Sequence, residues 1–310
     1  METIVTITYD RHRYQLYLQA HSLEKYLTDP IQHIVILEST SLSRNEWLND
    51  LSKIYKKHKL VLIDNTSHPF IFPKGEFIGW ERQQLLKLFV SKIIDTSKYV
   101  LFDSKNLLID YRSSADFLEF EPSMPYYDWN EKTPDMRRWK PFADIVHEKT
   151  KVPMIDSCRD PFTPYIMDTE TVKKLIATVD VEDLFVEAKL QNCKLPSEFI
   201  LYDLFYNFFG KKEPFKENKY FNTCRGVIKN DCSRFLAQRF NNQYYLEKIH
   251  LDFLHYKLVN KFNLDEYYVN LALYKTNPFN GSDKLRGNTN TTLENFTDSP
   301  YLLVARKSAR

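Results

Sequence analysis

A chain of 310 residues suits one large domain or two small ones, and 43% hydrophobic with 15% aromatic residues lets it bury a sizeable core. A net charge of +2 excludes general nucleic-acid affinity, and six glycines, forming neither GxxxxGK(S/T) nor GxGxxG, exclude the glycine-rich phosphate loops. The four cysteines (Cys158, Cys193, Cys224, Cys232) lack CxxC spacing, which indicates neither a zinc site nor a disulfide framework.

Thr3 to Thr8 reads as a strand (Ile4, Val5, Ile7) that ends in Tyr9-Asp10. Arg11 to Leu27 reads as a helix, with Tyr14, Leu18, Leu23 and Leu27 among its apolar positions. His33 to Leu37 is a second strand, and Asn45 to His58 a second helix carrying Trp47, Leu48, Leu51, Ile54 and Tyr55. Leu60 to Ile63 is a third strand, ending at Asp64-Asn65. A loop holding Pro69, Pro73, Gly75 and Gly79 leads into a helix over Trp80 to Val90. Its Leu85, Leu88 and Phe89 face the core, while Arg82, Gln83 and Lys87 group on another side. Tyr99 to Phe102 is a short apolar run stopped by Asp103, and a second run resumes over Leu107 to Ile109.

Strands alternating with helices of about 10–15 residues predict an α/β fold with a mainly parallel, doubly wound sheet. Each strand ends in polar residues, so Tyr9, Asp10, Asp64 and Asp103 share one edge, where ligands bind in open α/β sheets. An aspartate there caps a turn, holds a divalent metal or accepts from a ribose hydroxyl; with Ser104 next, the turn is the simplest reading.

Further along, Tyr111 to Lys140 is acidic and aromatic, with Tyr126, Tyr127, Trp129 and Trp139 suited either to packing or to stacking on sugars. Thr169 to Val179 is a helix capped by Asp168 or Thr169. Leu195 to Phe205 contains another, with Ser197 as N-cap and Glu198 in the first turn, where a carboxylate complements the helix dipole whatever else it does. A lysine-rich spacer covers Lys211–Lys219, two helices are expected within Tyr244–Leu273, and Asn277–Asp298 is turn-rich. An apolar strand then runs into Arg306-Lys307. No apolar run reaches the roughly 18 residues of a transmembrane helix, and no signal-peptide core is present, so the expectation is a soluble, cytoplasmic, reduced protein.

Tyr9-Asp10, then Gly79-Trp80-x-x-Gln83-Gln84-x-x-Lys87-Leu88, then a strand into Asp103-Ser104-Lys105-Asn106 stand in the order found in GT-A glycosyltransferases. The chain resembles a poorly characterised bacterial and viral group of them, and Pro161 to Met167 resembles the strand that follows the DxD region. The resemblance implies a GT-A-like (Rossmann-like) domain over residues 1–240. It also implies a helical C-terminal extension over 241–310, ending in a basic strand packed on that domain. The implied activity is transfer of a sugar from a nucleotide-sugar donor, a UDP-sugar for preference, to a hydroxyl of a glycan, glycolipid or other biopolymer.

In that family the DxD motif binds the donor's ribose and a metal bridging its phosphates, and Asp103 matches its first position. Lys105 stands at the third and cannot ligate a metal while protonated. Two readings follow. Asp103 with Asn106 holds Mn²⁺ or Mg²⁺, or cations of the chain replace the metal. The end of the chain is similar to core-2/I-branching glycosyltransferases, where basic residues meet the diphosphate without a metal, so Arg306 and Lys307 join Lys87 and Lys105 as diphosphate contacts. Thr8, Tyr9, Asp10 and Asp64 are implied nucleoside contacts, and Arg82 and Gln83 further donor contacts. Glu198 matches the acceptor-side carboxylate that serves as base in inverting enzymes, with Asp203, Asp156 and Asp160 in reserve. The alternative is a glycosyltransferase-like binding module without catalysis. A nucleotidyltransferase fits less well, because its glycine-rich pyrophosphate loop is missing.

Overall fold

The computed structural model describes residues 1–38, 42–77, 79–104, 106–108, 111, 113–114, 126–128, 136–155, 157–159, 163–193, 196–210, 238–239, 257–261 and 263–272. The chain divides into two compact units, residues 1–241 and 242–310.

The first unit is built on a sheet of five strands: β1 (Glu2–Thr8), β2 (Ile31–Leu37), β3 (Lys59–Ile63), β4 (Lys98–Asp103) and β8 (Tyr165–Asp168). Their order is β3-β2-β1-β4-β8, with the first four parallel and β8 antiparallel to β4. Helices α1 (Arg13–Tyr26), α2 (Arg44–Ile54) and α3 (Gly79–Phe89) make the crossovers between the parallel strands. Behind α3 lie α4 (Met136–Thr150), α5 (Thr169–Thr178), α6 (Val181–Leu190) and α7 (Glu198–Phe208). Two short ladders complete the unit: β5 (Asn106–Leu107) pairs with β9 (Gln238–Arg239), and β6 (Tyr126–Asp128) with β7 (Ser157–Arg159).

The strands bury residues on both faces because both sheet faces are covered. Val5, Ile7, Ile34, Ile36, Ile63, Tyr99 and Leu101 turn one face into the main core, against α3 and the helices behind it. Full burial of each such side chain contributes about 1.5–3 kcal/mol. On the other face, Thr6 and His33 meet Gln19 of α1 and Tyr55 at the end of α2.

Several boundaries differ from the sequence reading. A 3-10 turn over Asp10–His12 precedes α1, which begins at Arg13. Helix α2 stops at Ile54 instead of His58, because Tyr55 goes extended and sends its hydroxyl inward to His33. Helices α4 and α6 were not anticipated. Pro141 lies inside α4, where a proline ordinarily signals a break. The expected N-terminus of α7 is present, with the Ser197 hydroxyl accepting from the Phe199 N–H. Asp168, not Thr169, caps α5 by accepting from the Thr171 N–H at 2.7 Å.

In the second unit the described residues form a π-helical turn, Lys257–Lys261, and α8 (Glu266–Asn270), capped by Asp265. Most of Tyr244–Leu273, all of Asn277–Asp298 and the basic strand at Arg306-Lys307 lie outside the described residues.

Candidate functional site

The strand order places the site. Strand β1 connects outward to β2 and β3, and α3 then carries the chain back to β4 on the other side of β1. The reversal lies between the C-terminal ends of β1 and β4, the position at which open α/β sheets bind ligands. Ile7 of β1 is in register with Asp103 of β4, and Thr8 with Leu37 of β2. Thr8 and Asp103 therefore stand at adjacent strand ends beside this switch point, Asp103 on the sheet face of Ile7 and Thr8 on the other.

Lys87 is the residue around which the Asp103 side of this edge is organised. Its Nζ lies 2.8 Å from Glu198 Oε1 and 3.7 Å from Asp103 Oδ1, and 4.8 Å from the centre of the Phe199 ring. A lysine two turns into α3 reaches the strand end because helical side chains slant towards the helix N-terminus. Its stem is buried, and its backbone oxygen accepts from the Tyr99 hydroxyl at 2.9 Å. Glu198 is fully buried in the first turn of α7. Burial raises its pKa, while attraction to Lys87 and the Lys87 hydrogen bond oppose the rise. One oxygen of Glu198 is committed to Lys87; the other, Oε2, is buried with no hydrogen-bond partner among the described residues. Asp103, with 21% of its side chain exposed, is the accessible member of the three.

A second ion pair stands along the edge. Arg82 Nε, in the first turn of α3, lies 3.6 Å from Glu38 Oε1, and Glu38 directly follows β2. The Glu38 N–H donates to the Thr8 carbonyl at 2.8 Å, which ties the ends of β1 and β2. Among the described residues Arg82 Nε has no hydrogen-bond partner, and neither do the buried Thr8 Oγ1, Gln15 Oε1 and Thr163 Oγ1. Buried polar atoms are nearly always paired, so Glu198 Oε2 beside Lys87 and Arg82 Nε beside Glu38 are atoms that a polar ligand at this edge could satisfy.

The expected residues divide clearly. Asp103, Lys87 and Glu198 come together, and Thr8, Tyr9, Asp10, Arg82 and Gln83 lie around the same edge. Tyr9 is turned onto His12, its hydroxyl 3.2 Å from Nε2. Asp64 ends β3, three strands from β4, and its Oδ1 accepts from the Thr66 N–H, the Thr66 hydroxyl and the Ser67 N–H. Burial raises its pKa, but the hydrogen bonds from Ser67 and Thr66 outweigh burial and leave it lowered. Asp64 is a turn former. Asn106 is fully buried, its Oδ1 accepting from the Asp103 N–H at 2.7 Å and its Nδ2 donating to the Thr163 carbonyl at 3.4 Å. Those bonds shape the turn after β4. Asp203 is buried and accepts from the Tyr165 hydroxyl at 2.7 Å. Lys105, Asp156, Asp160, Arg306 and Lys307 lie outside the described residues.

Among the described residues no ready set of ligands for a divalent ion stands at this edge. Asp103 has an ammonium 3.7 Å away, the Asn106 amide oxygen is engaged, and no group of three His, Cys, Asp or Glu suited to a metal occurs among the described residues. The sequence reading missed Glu38 and Gln19. Glu38 follows an apolar strand as Asp103 does, so the same signal marks it; Gln19, inside α1, carries no such signal.

The chain is similar to several solved structures. One is the galactosyltransferase LgtC in complex with donor and acceptor sugar analogues, with 13% identity, a TM-score of 0.41, and 66% of this chain and 70% of that one covered. Another is the apo form of mouse xyloside xylosyltransferase 1, with 13% identity, a TM-score of 0.37, and 71% and 86% covered. A third is the apo bifunctional glycosyltransferase WbbM, with 12% identity, a TM-score of 0.40, and 67% and 37% covered. No curated protein matches the sequence. The model of a family of unknown function, DUF6492, matches residues 8–252, and the chain belongs to that family.

Proposed function

We propose that the chain is a glycosyltransferase that moves a sugar from a nucleotide-sugar donor, a UDP-sugar for preference, to an acceptor hydroxyl. The observation that carries this reading is the Lys87 ammonium held between two carboxylates, one accessible and one sealed, at the switch point of the sheet. Asp103 accepts from hydroxyls of the donor. Lys87, with the Arg82 cation further along the edge, meets the negative charge that builds on the diphosphate as the anomeric C–O bond breaks. In an inverting transfer the acceptor oxygen forms the new bond to the anomeric carbon, and its proton passes to Glu198 Oε2, the oxygen with no partner among the described residues. A raised pKa suits that role, since a base works best when its pKa lies near the working pH. No step needs a metal ion held by the described residues. No helix among the described residues is long and apolar enough to cross a membrane, which is compatible with the cytoplasmic location proposed here.

Complete burial of Glu198 favours a second reading, in which the Lys87–Glu198 pair is structural and this edge binds a nucleotide or glycan without turnover. A panel of UDP- and GDP-sugars, assayed for release of free nucleotide with and without simple glycan acceptors, separates the two. Calorimetry with UDP and GDP tests Asp103: Asp103→Asn is expected to bind the preferred nucleotide at least about tenfold more weakly, the scale of losing a charged hydrogen-bond partner. Equal affinity in a folded variant would reduce Asp103 to a turn residue.

A further inference from the structure

Behind the Asp103 turn runs a line of buried hydrogen bonds whose direction is fixed along its whole length. The carbonyls of Asp103 and Asn106 can only accept, so the Gln19 atom 2.6 Å from the first and 3.0 Å from the second is its NH₂ group. Gln19 Oε1 therefore faces Thr6, whose hydroxyl donates to it at 2.9 Å. The Thr6 oxygen is then left to accept from His33 Nε2 at 3.0 Å. That assigns the imidazole proton to Nε2 and leaves Nδ1 to accept from the Tyr55 hydroxyl at 2.5 Å. Charge states agree with this direction. Burial, and then His58, lowers His33 to about 3, and burial, and then Glu24, raises Tyr55 well above its ordinary value, so the one is neutral and the other protonated near pH 7. A reversed Gln19 would oppose its carbonyl to two carbonyls. One orientation satisfies every partner.

Asp103 is thereby held on both sides of its Cα. Its N–H donates to Asn106 Oδ1, and its carbonyl accepts from Gln19. One turn further along α1, the Ser22 hydroxyl accepts from the Leu108 N–H and donates to the Gln19 carbonyl. With both flanking peptides fixed, the Cα–Cβ direction of Asp103 is fixed, and its carboxylate is delivered towards Lys87. Working constellations require placement to about 0.5 Å, which comes from supporting side chains of this kind.

We propose that Gln19 is a positioning residue for Asp103, oriented by the Thr6–His33–Tyr55 line on the opposite sheet face from Lys87. This rests on the glycosyltransferase reading only for what Asp103 binds. The test uses Gln19→Met, which keeps length and loses the hydrogen bonds, and Thr6→Val against Thr6→Ser, which differ in the one hydroxyl that orients Gln19. Amide hydrogen exchange over residues 103–108 and calorimetric UDP affinity are measured on each folded protein.

Expected are exchange about tenfold faster and UDP affinity about tenfold weaker in Gln19→Met and Thr6→Val, the scale of one unmade buried hydrogen bond. Thr6→Ser should match the parent in both, and exchange in β3 should be unchanged in all three. Unchanged exchange at 103–108 in Gln19→Met overturns the proposal; so does faster exchange with UDP affinity intact. If Gln19→Met fails to fold, the Thr6 pair carries the same test. If the parent protein binds neither UDP nor GDP, the glycosyltransferase reading falls, and the exchange measurement alone decides whether Gln19 holds the turn.

Discussion

Replacing Lys87 by Met removes the ammonium and keeps most of the buried stem. The loss then falls on Glu198, which is fully buried and has Lys87 as its hydrogen-bond partner at 2.8 Å. Removing one member of a buried ion pair costs about 3–5 kcal/mol, because the other charge is left in a poorly polarisable interior. With a urea slope of about 3 kcal/mol/M, the midpoint should fall by roughly 1–1.7 M near neutral pH. The loss depends on pH, and its sign follows from the direction of the Glu198 shift. Burial raises the folded-state pKa above the ordinary 4.5, and Lys87 is the influence that restrains the rise. A carboxyl with a raised folded pKa takes up protons on folding, so its contribution is favourable below the unfolded value and is lost as pH climbs through the folded value. Lys87→Met lets the folded pKa climb further and widens that window upwards. The variant should therefore be damaged much more at pH 8 than at pH 5, where Glu198 is more readily neutralised. The double variant Lys87→Met/Glu198→Gln should recover most of the difference at pH 8. Urea unfolding of the parent, Lys87→Met, Glu198→Gln and the double variant at both pH values is the assay. An equal loss at the two pH values with no recovery in the double variant would refute the reasoning, since the two side chains would then not be coupled through charge.

Glu198→Gln alone should lower kcat by about 10²–10⁴-fold with donor binding nearly intact if Glu198 is the base, measured as nucleotide release in the presence of acceptor. Turnover at the parent rate would leave it the partner of Lys87 and nothing more. Nucleotide affinity should persist in EDTA, since Asp103 faces an ammonium and the Asn106 oxygen is engaged in the turn. Calorimetric affinity that collapses on chelation and returns with Mn²⁺ or Mg²⁺ would restore the metal-bound reading.

The alternation of apolar runs with helical stretches, each run stopped by a polar residue, was enough to give the α/β class and to put Asp103 at the C-terminal end of its strand. Strand direction and side-chain period are local properties, written in adjacent residues such as Phe102-Asp103. The Ser197 and Asp168 caps were legible for the same reason, since a cap bonds to a residue two or three places on. Local signals also misled. Pro141 obscured α4, and the apolar face around Tyr55 lengthened the expected α2 beyond Ile54.

What the tertiary structure alone decided is which residue each polar group meets. Asp64 and Asp103 look alike in sequence, each ending an apolar strand. One closes on its own turn through Thr66 and Ser67, and the other faces a lysine on α3. Lys87 and Glu198 are 111 residues apart, and Gln19 and Asp103 are 84 apart. Neither pairing leaves a periodic trace, because a buried charge or amide takes as partner whatever the packing of distant helices brings within 3 Å of it, and that choice is made only when the core closes.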